Sequence, residues 1–378
     1  MSNRSREPYL LTPGPLTTSA TVKRAMLRDW GSRDRAFIAL NARVRTRLVE
    51  LAGAAGSHVA VPLQGSGTFV VEAMLGTLVS RDGKLLVLVN GAYGQRMVRM
   101  AGYHGRQVAV LETPEDQPND PGALDRMLAQ ERAISHVAAV QCETTSGILN
   151  PIERIAEVTA RHGRRLLIDA MSAFGALPLD ASRVTFDGLT ASANKCLEGI
   201  PGVGFAILRH SALRDAEGNA PALSLDLYDQ WTSMEKTGQW RFTPPTHVLA
   251  AFDQALEEHA AEGGIAGRGA RYRENCRILV EGMRGLGFET LLPDHLQAPI
   301  IVTFRMPADP RFVFEDFYER LRAKGYVIYP GKLTVAPSFR IGCIGRLGAV
   351  EMQGALAAIR AALAEMEVAS GKPAAAAA

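Results

Sequence analysis

Between residues 59 and 208 the chain alternates short β-rich runs with helical segments, and this alternation restricts the fold more than any other feature of its 378 residues. Runs at 59–63, 84–89, 107–111, 136–141, 164–169, 188–191 and 204–208 read as strands, while 67–79, 94–103, 122–131 and 151–162 read as helices. Strands this uniformly apolar are buried on both faces, so the pattern predicts an α/β protein with a mostly parallel seven-stranded sheet sandwiched by helices. In such a sheet a ligand lies beyond the carboxyl ends of the strands.

Three prolines and Gly14 keep the segment 8–15 out of helix and predict an extended arm, of the kind that often crosses a subunit boundary. Apolar residues at helical spacing make 34–52 an amphipathic helix. Residues 246–284 read as mostly helical with a glycine-rich break at 263–269, and 299–343 as a β-α-β-β unit closed by a helix over 347–368. The expected organisation is an arm at 1–20, a large domain at 21–265, a smaller C-terminal α/β domain at 266–370 and a flexible tail at 371–378.

Charge and cysteine content narrow the partners. Forty-two Lys and Arg against 39 Asp and Glu leave a net charge of +3 with no basic block, which gives a nucleic acid little to grip. The longest apolar runs are strand-length, well short of the ~20 residues of a membrane-spanning helix. Residues 1–8 are polar with charges of both signs, unlike a secretory signal. Cys142, Cys196, Cys276 and Cys343 lie far apart, as free thiols of a reducing compartment do, and offer no metal-ligand spacing. These features predict a cytoplasmic protein without a metal site.

Four segments carry possible chemistry. In Gln64-Gly65-Ser66-Gly67-Thr68 a glycine turn feeds an apolar helix, whose free N–H groups and positive dipole end suit phosphate; by itself it reads equally as a capped turn. Asp169 ends an apolar strand, where a carboxylate can form a turn or hold a cationic ring nitrogen in a cleft. Lys195 follows a short strand of small residues and has apolar and small flanks; most lysines are solvated, but an inward one is costly unless it acts, for example through a Schiff base. Arg340, between Phe339 and Ile341, is either a bidentate anion clamp or an interdomain ion pair. A phosphate cradle, an acid for a pyridinium nitrogen and a lysine 26 residues further on together match the needs of pyridoxal 5'-phosphate.

The stretches LLTPGPLTTS, DWGSRD, QGSGTF, NGAYGQR, ETTSGILNPI, LIDAMSAFG, SANKCLEGIPGVGF, RFTPPTHV, VIYPGK and FRIGCIG, spread over about residues 9–345, resemble the fold-type I aminotransferases of the alanine–glyoxylate and serine–pyruvate group. The resemblance implies that Lys195 carries the cofactor as a Schiff base and moves the proton, and that Asp169 pairs with the ring nitrogen. It places Ser66, Gly67, Thr68 and Asn194 on the phosphate, Tyr93 stacked on the ring and Thr144 near the phenolic oxygen. Met171 takes the slot beneath the ring, where relatives often have Val, an exchange that a pliable side chain tolerates. Arg340 matches the arginine that binds the substrate anion, with Arg33 and Arg35 as possible supplements or simply a solvated basic loop. Thr243 is similar to a residue that reaches the phosphate of the neighbouring subunit, which implies a homodimer with shared active sites.

Within that group, DWGSRD and ETTSGILNP favour members that move the amino group of 2-aminoethylphosphonate to pyruvate in a ping-pong cycle, giving phosphonoacetaldehyde and L-alanine. The rival readings are an alanine–glyoxylate or serine–pyruvate aminotransferase, a lyase or desulfurase on the same fold, and a cofactor-binding regulator. Cys196 abuts the lysine and Cys343 follows a strand, so neither is placed like a desulfurase nucleophile, and the chain has no room for a DNA-binding module.

Overall fold

A computed structural model describes residues 7–333 and 336–374. Its main sheet has seven strands, β1 (His58–Gln64), β2 (Lys84–Val89), β3 (Gln107–Glu112), β4 (Ile134–Val140), β5 (Arg165–Asp169), β6 (Gly188–Ser192) and β7 (Val203–Arg209). They lie in the order β1-β7-β6-β5-β4-β2-β3. Strands β3, β2, β4, β5 and β6 pair in parallel, and β7 runs antiparallel to both β6 and β1.

Alternation along each strand sorts its side chains onto two faces. Leu86, Leu88, Val137, Ala139 and Ile168 face one apolar cluster, which includes Phe205 and Phe252. Leu85, Val87, Ala138, Val140 and Leu167 face another with Met74 and Met97. Both faces of these central strands are covered, which is why their middles are apolar, whereas the edge strand β3 is partly exposed. A third cluster, around Phe304, Phe317, Phe339 and Ile341, fills the C-terminal part, where Ser338–Gly342 lies between Ile301–Arg305 and Tyr329–Pro330.

Several expectations shift. The 263–269 break is confined to Glu262–Gly263, and one helix runs over Gly264–Gly285. Its glycines serve packing, since a Cβ on Gly269 would lie 2.4 Å from the carbonyl oxygen of Ala176. Tyr9–Leu10 pairs in parallel with Tyr326–Val327, so this part of the arm lies on its own chain. The expected flexible tail is corrected at its start: Gly371 N–H donates to Leu286 O and Ala308 N–H to Lys372 O, which ties these residues down. Residues 375–378 lie outside the described residues. A helix at Leu227–Thr237, capped by Asp226, was not foreseen. Among the described residues the four cysteines are free and buried, no cluster of His, Cys, Asp and Glu could hold a metal, and no helix is long and apolar enough to cross a membrane.

Candidate active site

Strands β5 and β6 are parallel neighbours, so the residues that follow their carboxyl ends meet at one edge of the sheet. Asp169 closes β5, and Lys195 stands three residues past the end of β6. The 26-residue interval is therefore one crossover. The lysine turn is braced from within by Ala193 N–H to Val203 O at 3.0 Å and Glu198 N–H to Lys195 O at 2.8 Å. Beneath it Glu198 accepts from Arg271 at 2.7 Å and from Tyr272 Oη at 2.6 Å, which ties the turn to the helix Gly264–Gly285.

A cavity of about 270 Å3 opens at this edge. Ser66, Gly67, Thr68, Tyr93, Asp169, Met171, Asn194 and Lys195 all line it, joined by Gly14, Arg96, Ser172 and Ser192, which sequence reasoning did not single out. Asp169 is 5% exposed, and burial pushes its carboxyl up to about 6 against the opposing N–H bond from Met171 at 2.9 Å. Such an acid is stabilised by a cation brought into the cavity. Burial also lowers the pKa of Lys195, which favours a neutral, nucleophilic amine. Glu143, buried behind Tyr93, accepts from the N–H groups of Tyr93 and Gly94 at 3.1 and 3.4 Å and so fixes the start of the helix Ala92–Tyr103.

The lining fits pyridoxal phosphate. Ser192 Oγ is buried without a hydrogen-bond partner among the described residues, a donor that a ligand oxygen would satisfy. Ser66, Gly67 and Thr68 open the helix Gly67–Leu78, whose first N–H groups suit an anion. Gly67 packs closely there, since a Cβ would lie 2.4 Å from Met171 Sδ and the methionine would have to move. Arg96 donates to Thr68 Oγ1 at 3.2 Å and stands 4.9 Å from the Tyr93 ring centroid, so it adds a positive charge beside the cradle. Its spacing of three residues from Tyr93 on one helix was the available signal.

The arm closes the cavity on the lysine side. Lys195 Nζ donates to Pro13 O at 2.6 Å. Gly14 has φ +118°, and a Cβ there would lie 2.8 Å from both Cδ and Nζ of the lysine. Gly14→Ala should displace the amine and lower kcat by about 10- to 100-fold. Steady-state rates alongside a thermal melt check this, and an unaltered kcat in a folded variant contradicts it.

The remaining named residues do not line this cavity. Arg340 is 5% exposed on Ser338–Gly342; its Nε donates to Pro330 O at 3.0 Å and its Nη1 to Thr144 O at 2.8 Å. Thr144 is buried, and it meets Arg340 through its carbonyl rather than lining the lysine cavity. Thr243 and Arg33 share a different surface cavity of about 360 Å3, beside Trp240 and Phe242. Arg35 is exposed at the first turn of the helix Arg35–Leu51, which Asp34 caps.

Comparison with known proteins bears on the fold and the family. The chain is 56% identical over 364 residues to a curated 2-aminoethylphosphonate–pyruvate transaminase of Pseudomonas putida, covering 96% of this chain and 99% of that protein. Its fold is similar to the crystal structure of an alanine–glyoxylate aminotransferase from Nostoc sp., with a TM-score of 0.89 at 23% identity over 96% of this chain and 97% of that one. It is also similar to a phosphoserine aminotransferase from Trichomonas vaginalis with bound pyridoxal phosphate, with a TM-score of 0.75 at 15% identity over 94% and 100%. The family model described as aminotransferase class-V matches residues 21–364, nearly the whole folded chain, and the chain belongs to the class-V aminotransferase family.

Proposed function

We infer that the chain is a pyridoxal phosphate-dependent aminotransferase that carries the amino group of 2-aminoethylphosphonate to pyruvate, producing phosphonoacetaldehyde and L-alanine. Likeness to relatives of that name along 96% of the chain carries the reading, and the convergence of Lys195 and Asp169 on one cavity supports it.

The bound cofactor supplies an electron sink for the carbon that bears the amino group. Lys195 would hold the cofactor, and its Nζ would move the proton at that carbon, a task suited to an amine whose pKa burial has lowered. Asp169 keeps the cationic ring nitrogen charged, each pKa unit of that preference being worth about 1.4 kcal/mol. Ser66, Gly67, Thr68, Ser192, Asn194 and Arg96 would hold the phosphate, Tyr93 and Met171 would flank the ring, Thr144 would serve the phenolic oxygen, and Arg340 would take the substrate anion.

The reading also assigns a cytoplasmic homodimer with shared active sites. Thr243 and Arg33 lie together and away from the lysine of their own chain, as residues offered to a partner's site would. We retain the division into an arm (1–20), a large domain (21–265) and a small domain (266–370), in line with the separate apolar cluster around Phe317 and Phe339.

Purified protein supplied with 2-aminoethylphosphonate and pyruvate should form equimolar phosphonoacetaldehyde and L-alanine, read by coupled assays for each. Turnover of L-serine or of L-alanine with glyoxylate, with none of aminoethylphosphonate, would overturn the choice of donor.

A further inference from the structure

Arg96, Lys332 and Arg340 approach Tyr93 or its surroundings, and among the described residues none of the three has a carboxylate within salt-bridge distance. Lys332 Nζ lies 4.4 Å from the Tyr93 ring centroid. It belongs to the same hairpin as Arg340: Tyr329 pairs with Arg340, Gly331 N–H donates to Ser338 O, and Lys332 follows immediately. Arg340 spends Nε and Nη1 on the carbonyls of Pro330 and Thr144, which orient its guanidinium. The nearby buried acid, Glu143, accepts from the N–H groups of Tyr93, Gly94 and Thr145, and burial favours its neutral form, so the cations gathered in this partly desolvated site call for anions from outside the chain.

The charges can be assigned. Arg96, bonded to Thr68 at the helix start, answers the cofactor phosphate together with the helix end, and Asp169 answers the ring nitrogen. Two positive charges remain, on Arg340 and Lys332. A carboxylate such as that of alanine or serine brings one negative charge, whereas a phosphonate brings up to two. We propose that Lys332 is a specificity residue that joins Arg340 in a two-cation clamp and favours a dianionic donor head group over a monoanionic one. This rests on the donor class proposed above.

The test compares 2-aminoethylphosphonate with its monomethyl phosphonate ester, which keeps the amine and carbon chain but carries one charge, in wild type, Lys332→Met and Lys332→Arg holoenzymes. Wild type should prefer the unesterified donor by at least about tenfold in kcat/KM, a charge-assisted contact being worth roughly that or more. Lys332→Met should cut the preference to about twofold, and Lys332→Arg should restore most of it. The rise of wild-type kcat/KM with the second phosphonate ionisation should flatten in Lys332→Met. Equal discrimination by wild type and Lys332→Met would overturn the clamp alone. A wild type idle on aminoethylphosphonate would overturn the donor assignment and the clamp with it.

Discussion

Lys195→Ala should lower kcat for amino transfer from 2-aminoethylphosphonate to pyruvate by more than about 10^4-fold, because one side chain performs two tasks that no neighbour can take over. It is the lysine of the cavity, held at its mouth by Pro13 O and set by a turn that Ala193, Glu198 and Gly199 bond shut. The other cations nearby are the guanidinium groups of Arg96 and Arg340, which remain protonated and cannot serve as bases, and the Lys332 ammonium, which lies against the Tyr93 ring and does not line the cavity. Borohydride should fix the cofactor to the wild-type chain, seen as a mass increase, and leave the variant unlabelled. A variant that keeps even a tenth of the wild-type rate, or that is labelled equally, would remove Lys195 from the chemistry.

Asp169→Asn should lower kcat by about 10^3-fold and, in the cofactor-free protein, stabilise the fold at alkaline pH. The two effects share one cause. Burial raises the Asp169 carboxyl from its ordinary 3.8 to about 6, so the folded chain holds this proton more tightly than the unfolded chain does. The associated stability is complete below about pH 4 and is lost as pH rises through about 6, roughly 3 kcal/mol over the window. Asparagine does not titrate, and its oxygen can still accept from the N–H of Met171. Chemical denaturation of the cofactor-free proteins should therefore show the variant gaining on wild type by about 1–3 kcal/mol between pH 5 and pH 8. A difference that stays flat over that range would contradict the account.

The sheet was legible because its inner strands are buried on both faces, and runs such as Leu85–Val89 and Leu166–Ile168 leave no amphipathic ambiguity. The pairing of Asp169 with Lys195 was legible for the same reason, since two consecutive strands that end in polar residues put both at one edge. The helix Leu227–Thr237 was also marked, by Leu227, Trp231 and Met234 at helical spacing behind the cap Asp226, but the run is short and a polar residue, Gln230, takes one of its buried positions. The uninterrupted helix Gly264–Gly285 was hidden by its glycines, of which Gly269 answers a close approach to Ala176 that no local pattern announces. Ser192 looks ordinary as a residue, and only its place around the void marks it, whereas Arg96 is signalled by its spacing from Tyr93 on one helix. Lys332 depends on a hairpin meeting a helix about 240 residues earlier in the chain, and nothing in its own neighbourhood records that.

The reversed direction of β7 sets a limit on how this protein can vary. Because β7 returns antiparallel beside β6, residues 193–202 form a short link between two strands rather than a helical crossover, and Gly65 N–H to Gly202 O fastens the link to β1 as well. Insertions elsewhere around the sheet can be absorbed by lengthening a connecting helix or loop. One residue added or removed here would change the reach of the reactive amine directly, so evolution can remodel the rim of this enzyme freely while the ten residues around its lysine stay fixed in number.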